Sequence, residues 1–124
     1  MTQGKFSWKK RLESFKYAFD GLKIWIIEEH NVRIHIFIAV CVLVAGFVFG
    51  ISAGEWIALV GCIGMVIALE MINSAVENLA DFVSPEKHDK IKKVKDLAAG
   101  AVLIGAATAV IIGLIVFLPE ICSR

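Results

Sequence analysis

Three long apolar stretches, separated by one short turn and one charged segment, make up most of this chain. Residues 34–50 are apolar almost throughout, residues 55–83 begin the same way but take on polar residues in their second half, and residues 97–118 are apolar again. A helix of about 20 apolar residues crosses the hydrocarbon of a bilayer, and interfacial side chains such as Arg33 and His35 extend the shortest stretch. Ahead of these blocks, residues 5–29 place Trp8, Leu12, Phe15, Phe19, Leu22 and Ile26 at alternating steps of four and three, with Lys9, Lys10, Glu13, Lys16, Asp20 and Lys23 on the opposite side. That spacing predicts an amphipathic helix, and a basic one with aromatics on its apolar face lies in a membrane interface. The expected fold is an all-α membrane protein: one domain over residues 1–124, with an N-terminal amphipathic surface helix and three transmembrane helices.

The punctuation agrees with this division. Gly50-Ile51-Ser52-Ala53-Gly54 reads as a tight turn, followed by Trp56 at the level of an interfacial anchor. Ser84-Pro85 ends the second block, since proline disfavours helix in the residue before it. Residues 84–96 read as a cytoplasmic charged loop or short helix, and Pro119 closes the third block.

Composition excludes an ordinary soluble domain: 58% of the 124 residues are hydrophobic and the mean hydropathy is +0.76, where soluble domains are nearer half apolar. The net charge of +1 hides an uneven distribution. Lys5, Lys9, Lys10, Arg11, Lys16, Lys23 and Arg33 precede the first span, Lys87, Lys90, Lys92, Lys93 and Lys95 separate the second from the third, and residues 50–54 carry no Lys or Arg. The positive-inside rule then sets the N-terminus and the charged segment in the cytoplasm, with the short turn and the C-terminus outside. No cleavable signal peptide and no nucleic-acid partner are expected. Cys41, Cys62 and Cys122 have no metal or redox spacing and read as packing residues.

The second block carries the chemistry. Taking Glu70 as the origin, Asn73, Glu77 and Asp81 lie at about −60°, −20° and +20° around a helix, so all four share one stripe. Glu77 lies about 10 Å and Asp81 about 16 Å from Glu70 along the axis, towards the cytoplasmic end. Carboxylates at membrane depth cost several kcal/mol each unless hydrated, paired or bound to cations. Glu77 and Asp81, with Glu28, Glu29, Lys95 and Asp96 near the same membrane face, suit a nucleotide triphosphate with Mg²⁺. Glu70 sits deeper, where a lipid alcohol can reach it and burial favours its service as a general base. Ala101, Gly105, Ala109 and Gly113 recur every four residues, a spacing that lets helices approach closely in lipid. It serves either a homo-oligomer with shared sites or packing within one chain.

No Walker glycine loop, kinase glycine loop, HRD or DFG is present, so any phosphoryl transfer uses a different design. Stripe geometry alone leaves three readings: a lipid-directed enzyme, an ion or proton pathway, and an assembly factor.

The order Glu70-x-x-Asn73-Ser74-Ala75-x-Glu77-x-x-x-Asp81, then Lys95-Asp96-x-Ala98-Ala99-Gly100-Ala101-Val102, with Glu29-x-x-x-Arg33 upstream, resembles the small prokaryotic diacylglycerol kinase family, which includes undecaprenol kinases. The resemblance runs from about Phe15 to Leu118. It implies a homotrimer with active sites at subunit boundaries, ATP as co-substrate, Mg²⁺ as cofactor and a lipid alcohol as substrate. It puts Glu70 at the catalytic-base position, and Glu29 and Glu77 at the Mg²⁺ and nucleotide positions. Asn73, Lys95 and Asp96 fall in the same site, with Lys95 on the phosphates. Tyr17 matches a nucleotide-contacting tyrosine, Glu86-Lys87-His88 a nucleotide-contacting turn, and Lys10 a position where arginine is familiar. Trp56 and Ala99 match positions near the lipid. His30 and His35 read as interfacial or structural. The stretch Glu29-His30-Asn31-Val32-Arg33-Ile34-His35 looks more like the undecaprenol kinase branch than the diacylglycerol kinase branch.

Overall fold

The structure, a computed structural model, describes residues 6–123. Among these residues there is no strand, and the elements are four helices: α1 (Trp8–Glu28), α2 (Val32–Phe49), α3 (Ala53–Val83) and α4 (Asp89–Cys122). They fall into two compact units, Met1–Ile34 and His35–Arg124.

In the first unit, α1 starts where Ser7 adopts an extended backbone and its hydroxyl accepts from the Lys10 N–H at 3.4 Å, which satisfies one of the donors left open at a helix start. It stops at Glu29, whose N–H still donates to the Trp25 carbonyl at 3.1 Å. Trp25 is buried, whereas Trp8, Leu12, Phe15 and Phe19 are exposed. The predicted first residue of this helix, Lys5, lies outside the described residues.

The second unit is built as consecutive antiparallel helices. α2 ends at a left-handed glycine, Gly50 (φ +63°). The Gly50 N–H donates to Phe47 and the Ile51 N–H to Gly46, at 3.3 and 3.2 Å, the paired bonds of a Schellman cap. α3 begins with a capping box: the Glu55 N–H donates to Ser52 Oγ at 3.2 Å, and the Ser52 N–H donates to Glu55 Oε1 at 3.1 Å. The turn is therefore shorter than the predicted 50–54, because Ala53 and Gly54 already belong to α3. Gly46 faces Trp56 so closely that a methyl group on it would lie 2.7 Å from the indole, and the Phe47 ring packs on the same indole, tilted by 53° with centroids 4.8 Å apart.

α3 and α4 make the most extensive helix pair. A methyl group on Gly105 would lie 2.6 Å from the Leu69 Cδ1, so this member of the predicted small-residue row serves packing within the chain. Ile51, Leu59 and Val116 form the small buried cluster near the α2–α3 turn, with Phe49, Trp56 and Phe117 around it. Elsewhere the helices present apolar side chains outward, among them Phe37, Phe47, Ile57, Leu103, Ile104 and Ile115. Three helices, α2, α3 and α4, are long and apolar enough to cross a membrane, where hydrocarbon takes the place of a buried core.

Two predicted limits are corrected. The segment 84–96, expected as a charged loop or short helix, is a connection only over residues 84–88, and from Asp89 it is helical as the start of α4. His88 caps it, its Nδ1 accepting the Lys90 N–H at 3.1 Å. Asp89 stands in the first turn, where the helix dipole favours a negative charge. Nor does Pro119 end α4, which continues to Cys122. So near the end of a helix, the missing N–H costs one bond, and the Ser123 N–H closes the last turn on the Pro119 carbonyl at 3.1 Å.

Candidate functional site

The polar stripe of α3 meets a partner at each end. At its apolar end, Glu70 Oε1 lies 3.1 Å from His35 Nε2 of α2, with the two side chains 19% and 24% exposed. One turn further, Asn73 Nδ2 donates to Glu77 Oε1 at 3.4 Å, along the i, i+4 diagonal of the same face. The other amide atom, Asn73 Oδ1, is closed off from solvent and has no hydrogen-bond partner. At the far end, Lys95 Nζ of α4 donates to Asp81 Oδ1.

Lys95 precedes the apolar run of α4. The hydrogen bond to Asp81 raises its pKa above the ordinary lysine value, against a smaller opposing effect of desolvation, and the charges of Asp81 and Glu77 add to the rise. The ammonium therefore stays charged at any physiological pH. Asp96, next along α4, takes a different cation: Lys92 Nζ donates to its Oδ2 at 2.5 Å, one helical turn away. Both residues are exposed.

The remaining predicted residues are placed as follows. Lys10 and Tyr17 stand exposed on α1, and Glu29 is half-buried at its C-cap, all in the first unit. Glu86 is exposed in the connection to α4, where its carbonyl accepts from Ser84 Oγ at 2.9 Å. His88 uses its Nδ1 to cap α4. Trp56 is half-buried against Gly46, and Ala99 lies exposed on α4. Among the described residues, no three His, Cys, Asp or Glu side chains stand close enough to share a metal ion.

His35 is the residue that sequence reasoning undervalued. Its signal was its row. His35, Ala39, Val42 and Gly46 follow steps of four, three and four, so they share the α2 face that meets α3. A histidine on an inward row of a spanning helix needs a polar partner.

Residues 16–117 match the family of prokaryotic diacylglycerol kinases. This chain belongs to that family. A Bacillus subtilis undecaprenol kinase is 37% identical over 109 residues, covering 88% of this chain and 89% of the relative. A Synechocystis diacylglycerol kinase is 38% identical over 115 residues, covering 90% of this chain and 65% of the relative. The Escherichia coli K12 diacylglycerol kinase is 26% identical over 112 residues, covering 90% and 91%. The matched span of the family takes in α2, α3 and all but the end of α4, and with them the whole stripe.

Proposed function

We propose that the protein is a multi-pass membrane lipid kinase that transfers the γ-phosphate of ATP to a lipid alcohol. The observation that carries this reading is the division of labour along α3. A half-shielded carboxylate, Glu70, stands among apolar neighbours, and Glu77 with the Lys95-paired Asp81 lies on the same stripe towards the charged α3–α4 connection. Membership of a kinase family gives this arrangement its chemistry.

Glu70 is the general base: it takes the proton of the lipid hydroxyl as that oxygen attacks the γ-phosphorus in line. Lys95 holds the phosphates of ATP. Asn73 and Asp96 line the nucleotide side, and Lys10, Tyr17, Glu86 and His88 contact the nucleotide. Trp56 and Ala99 lie near the lipid. Glu29 and Glu77 hold Mg²⁺, and the residues fit such an ion: a carboxylate and a closed-off, unpartnered amide oxygen, Asn73 Oδ1, are hard oxygen donors. The chemistry a bound Mg²⁺ supplies is neutralisation of charge on the transferred group.

We assign the complete site to a homotrimer in which neighbouring subunits share active sites, as the resemblance to the family implies. α1 lies in the cytoplasmic interface, and the N-terminus is cytoplasmic. Undecaprenol is favoured over diacylglycerol on the stretch Glu29-His30-Asn31-Val32-Arg33-Ile34-His35, which looks more like the undecaprenol kinase branch.

The test is transfer of radiolabelled γ-phosphate from ATP in detergent micelles, with undecaprenol and diacylglycerol in parallel and Glu70→Gln as control. Label in one lipid and none in the control supports the reading and names the substrate. No label in either lipid rejects the kinase reading, and wild-type turnover in Glu70→Gln rejects the base.

A further inference from the structure

We propose that His35 is a positioning residue for this reaction: its imidazole holds one oxygen of the Glu70 carboxylate, leaving the other to face the lipid hydroxyl. The proposal rests on the reading of Glu70 as the base.

The geometry is specific. Nε2 lies 3.1 Å from Oε1, and among the described residues no other side chain pairs with Glu70. His35 also stands in the wall of a cavity of about 330 Å³ between α2, α3 and α4, with Val42, Leu59, Val66 and Phe117 among its neighbours there. The imidazole therefore sits between an apolar chamber and the carboxylate, with only 24% of its side chain exposed. A solvated surface histidine has no such setting.

An ionised carboxylate only accepts hydrogen bonds, so the pair requires a proton on Nε2. A neutral imidazole in that tautomer supplies the donor without adding charge to an apolar site. It also removes rotational freedom from a glutamate that, among the described residues, has no other hydrogen-bond or ion-pair partner. Catalysis depends on such aim, since misplacing a reacting group by about 1 Å can cost about 100-fold. The proton account balances without His35 changing state. As the bond from the lipid oxygen to phosphorus forms and the bond to the β,γ-bridging oxygen breaks, ADP leaves with the electron pair. The hydroxyl proton passes to the free oxygen of Glu70, and His35 keeps its own.

The experiment compares the full-length protein with His35→Leu, His35→Gln and His35→Asn in one detergent, measuring kcat and the KM for lipid and for Mg²⁺-ATP. Gln places an amide N–H at about the reach of Nε2; Asn stops one carbon short; Leu fills the space without a donor. The expected result is a loss of kcat of about 10- to 100-fold in Leu and Asn, KM values within about twofold, and at least about a third of the wild-type kcat in Gln. Should Leu fail to fold, the Gln and Asn pair decides alone. Equal kcat in Gln and Asn, or a loss confined to KM, overturns the proposal. Glu70→Gln, run alongside, separates the two ideas. If that variant is inactive while the His35 variants keep wild-type kcat, only the positioning role falls. If it is active, the base reading falls with it.

Discussion

Asp81 of α3 and Lys95 of α4, fourteen residues apart in sequence, meet across the connection between the two helices. The contact fixes an ammonium group beside the Glu77 end of the stripe. Because both partners are solvent-accessible, its worth lies in aiming Lys95 more than in holding the helices together. Asp81→Asn therefore raises the KM for ATP by about two- to fivefold and spares kcat at saturating ATP, whereas Lys95→Met lowers kcat/KM by at least about tenfold. Steady-state ATP titrations of the two variants check this. Equal losses in both would mean that Asp81 itself contacts the nucleotide or its metal.

Leu69 and Gly105 set how closely α3 and α4 approach, with 2.6 Å between the leucine Cδ1 and a methyl group placed on the glycine. Alanine at 105 displaces the end of one flexible side chain. Valine forces the helices apart and is expected to cost about 1–3 kcal/mol. It also disturbs Glu70, the next residue after Leu69, so activity falls along with stability. Thermal inactivation in micelles and kcat, measured on Gly105→Ala and Gly105→Val, test this. A valine variant as stable as wild type would show that the helices separate at no cost.

Much of this was legible in the chain. Apolar block lengths gave α2, α3 and α4 to within a few residues at most ends, and the 100° step placed Glu70, Asn73, Glu77 and Asp81 on one face. What sequence obscured were contacts between elements. The Asp81–Lys95 pair follows only once α4 begins at Asp89, and charge-rich residues 86–96 masked that start until the His88 cap was seen. The His35–Glu70 pair follows from register. Antiparallel helices advance equally, so once Gly46 lies on Trp56 near the turn, His35 must meet α3 about as far along. A histidine one residue inside an apolar block gives no hint of this alone. Roles for Lys10 and Tyr17, and the choice of Glu29 over its neighbour Glu28, came from the resemblance, because no spacing ties them to the α3 stripe.

Gly50 separates folding from function. At φ +63° it adopts the left-handed backbone that closes α2, and any Cβ there is penalised by about 1–2 kcal/mol. Gly50→Ala is expected to lower thermal stability by that amount and leave kcat and the KM for Mg²⁺-ATP unchanged, since every proposed site residue of α2 and α3 except Trp56 lies at the other end of those helices. Gly50→Asn recovers part of the loss, because asparagine tolerates this backbone better. Thermal unfolding of the two variants in micelles is the check. A fall in kcat for Gly50→Ala without loss of stability would tie the turn to the reaction.

Asn73 and Glu77 make the sharpest test of the metal assignment. The Asn73 amide donates to Glu77 Oε1, and its own oxygen lies buried without a partner. An unpaired buried acceptor costs about 1–3 kcal/mol, which a bound cation or a nucleotide N–H offsets. Glu77→Gln removes the charge but keeps the shape, so the Mg²⁺ concentration for half-maximal activity should rise by at least about tenfold with the KM for lipid unchanged. Asn73→Leu removes the amide altogether. The apo protein should then be equally or more stable, since an apolar group replaces an unsatisfied one, while kcat/KM for Mg²⁺-ATP falls. Mg²⁺ titrations and thermal unfolding, both on the intact protein in micelles, separate these effects. An unchanged Mg²⁺ requirement in Glu77→Gln would remove that carboxylate from the metal site, and a less stable Asn73→Leu would make the amide a structural group.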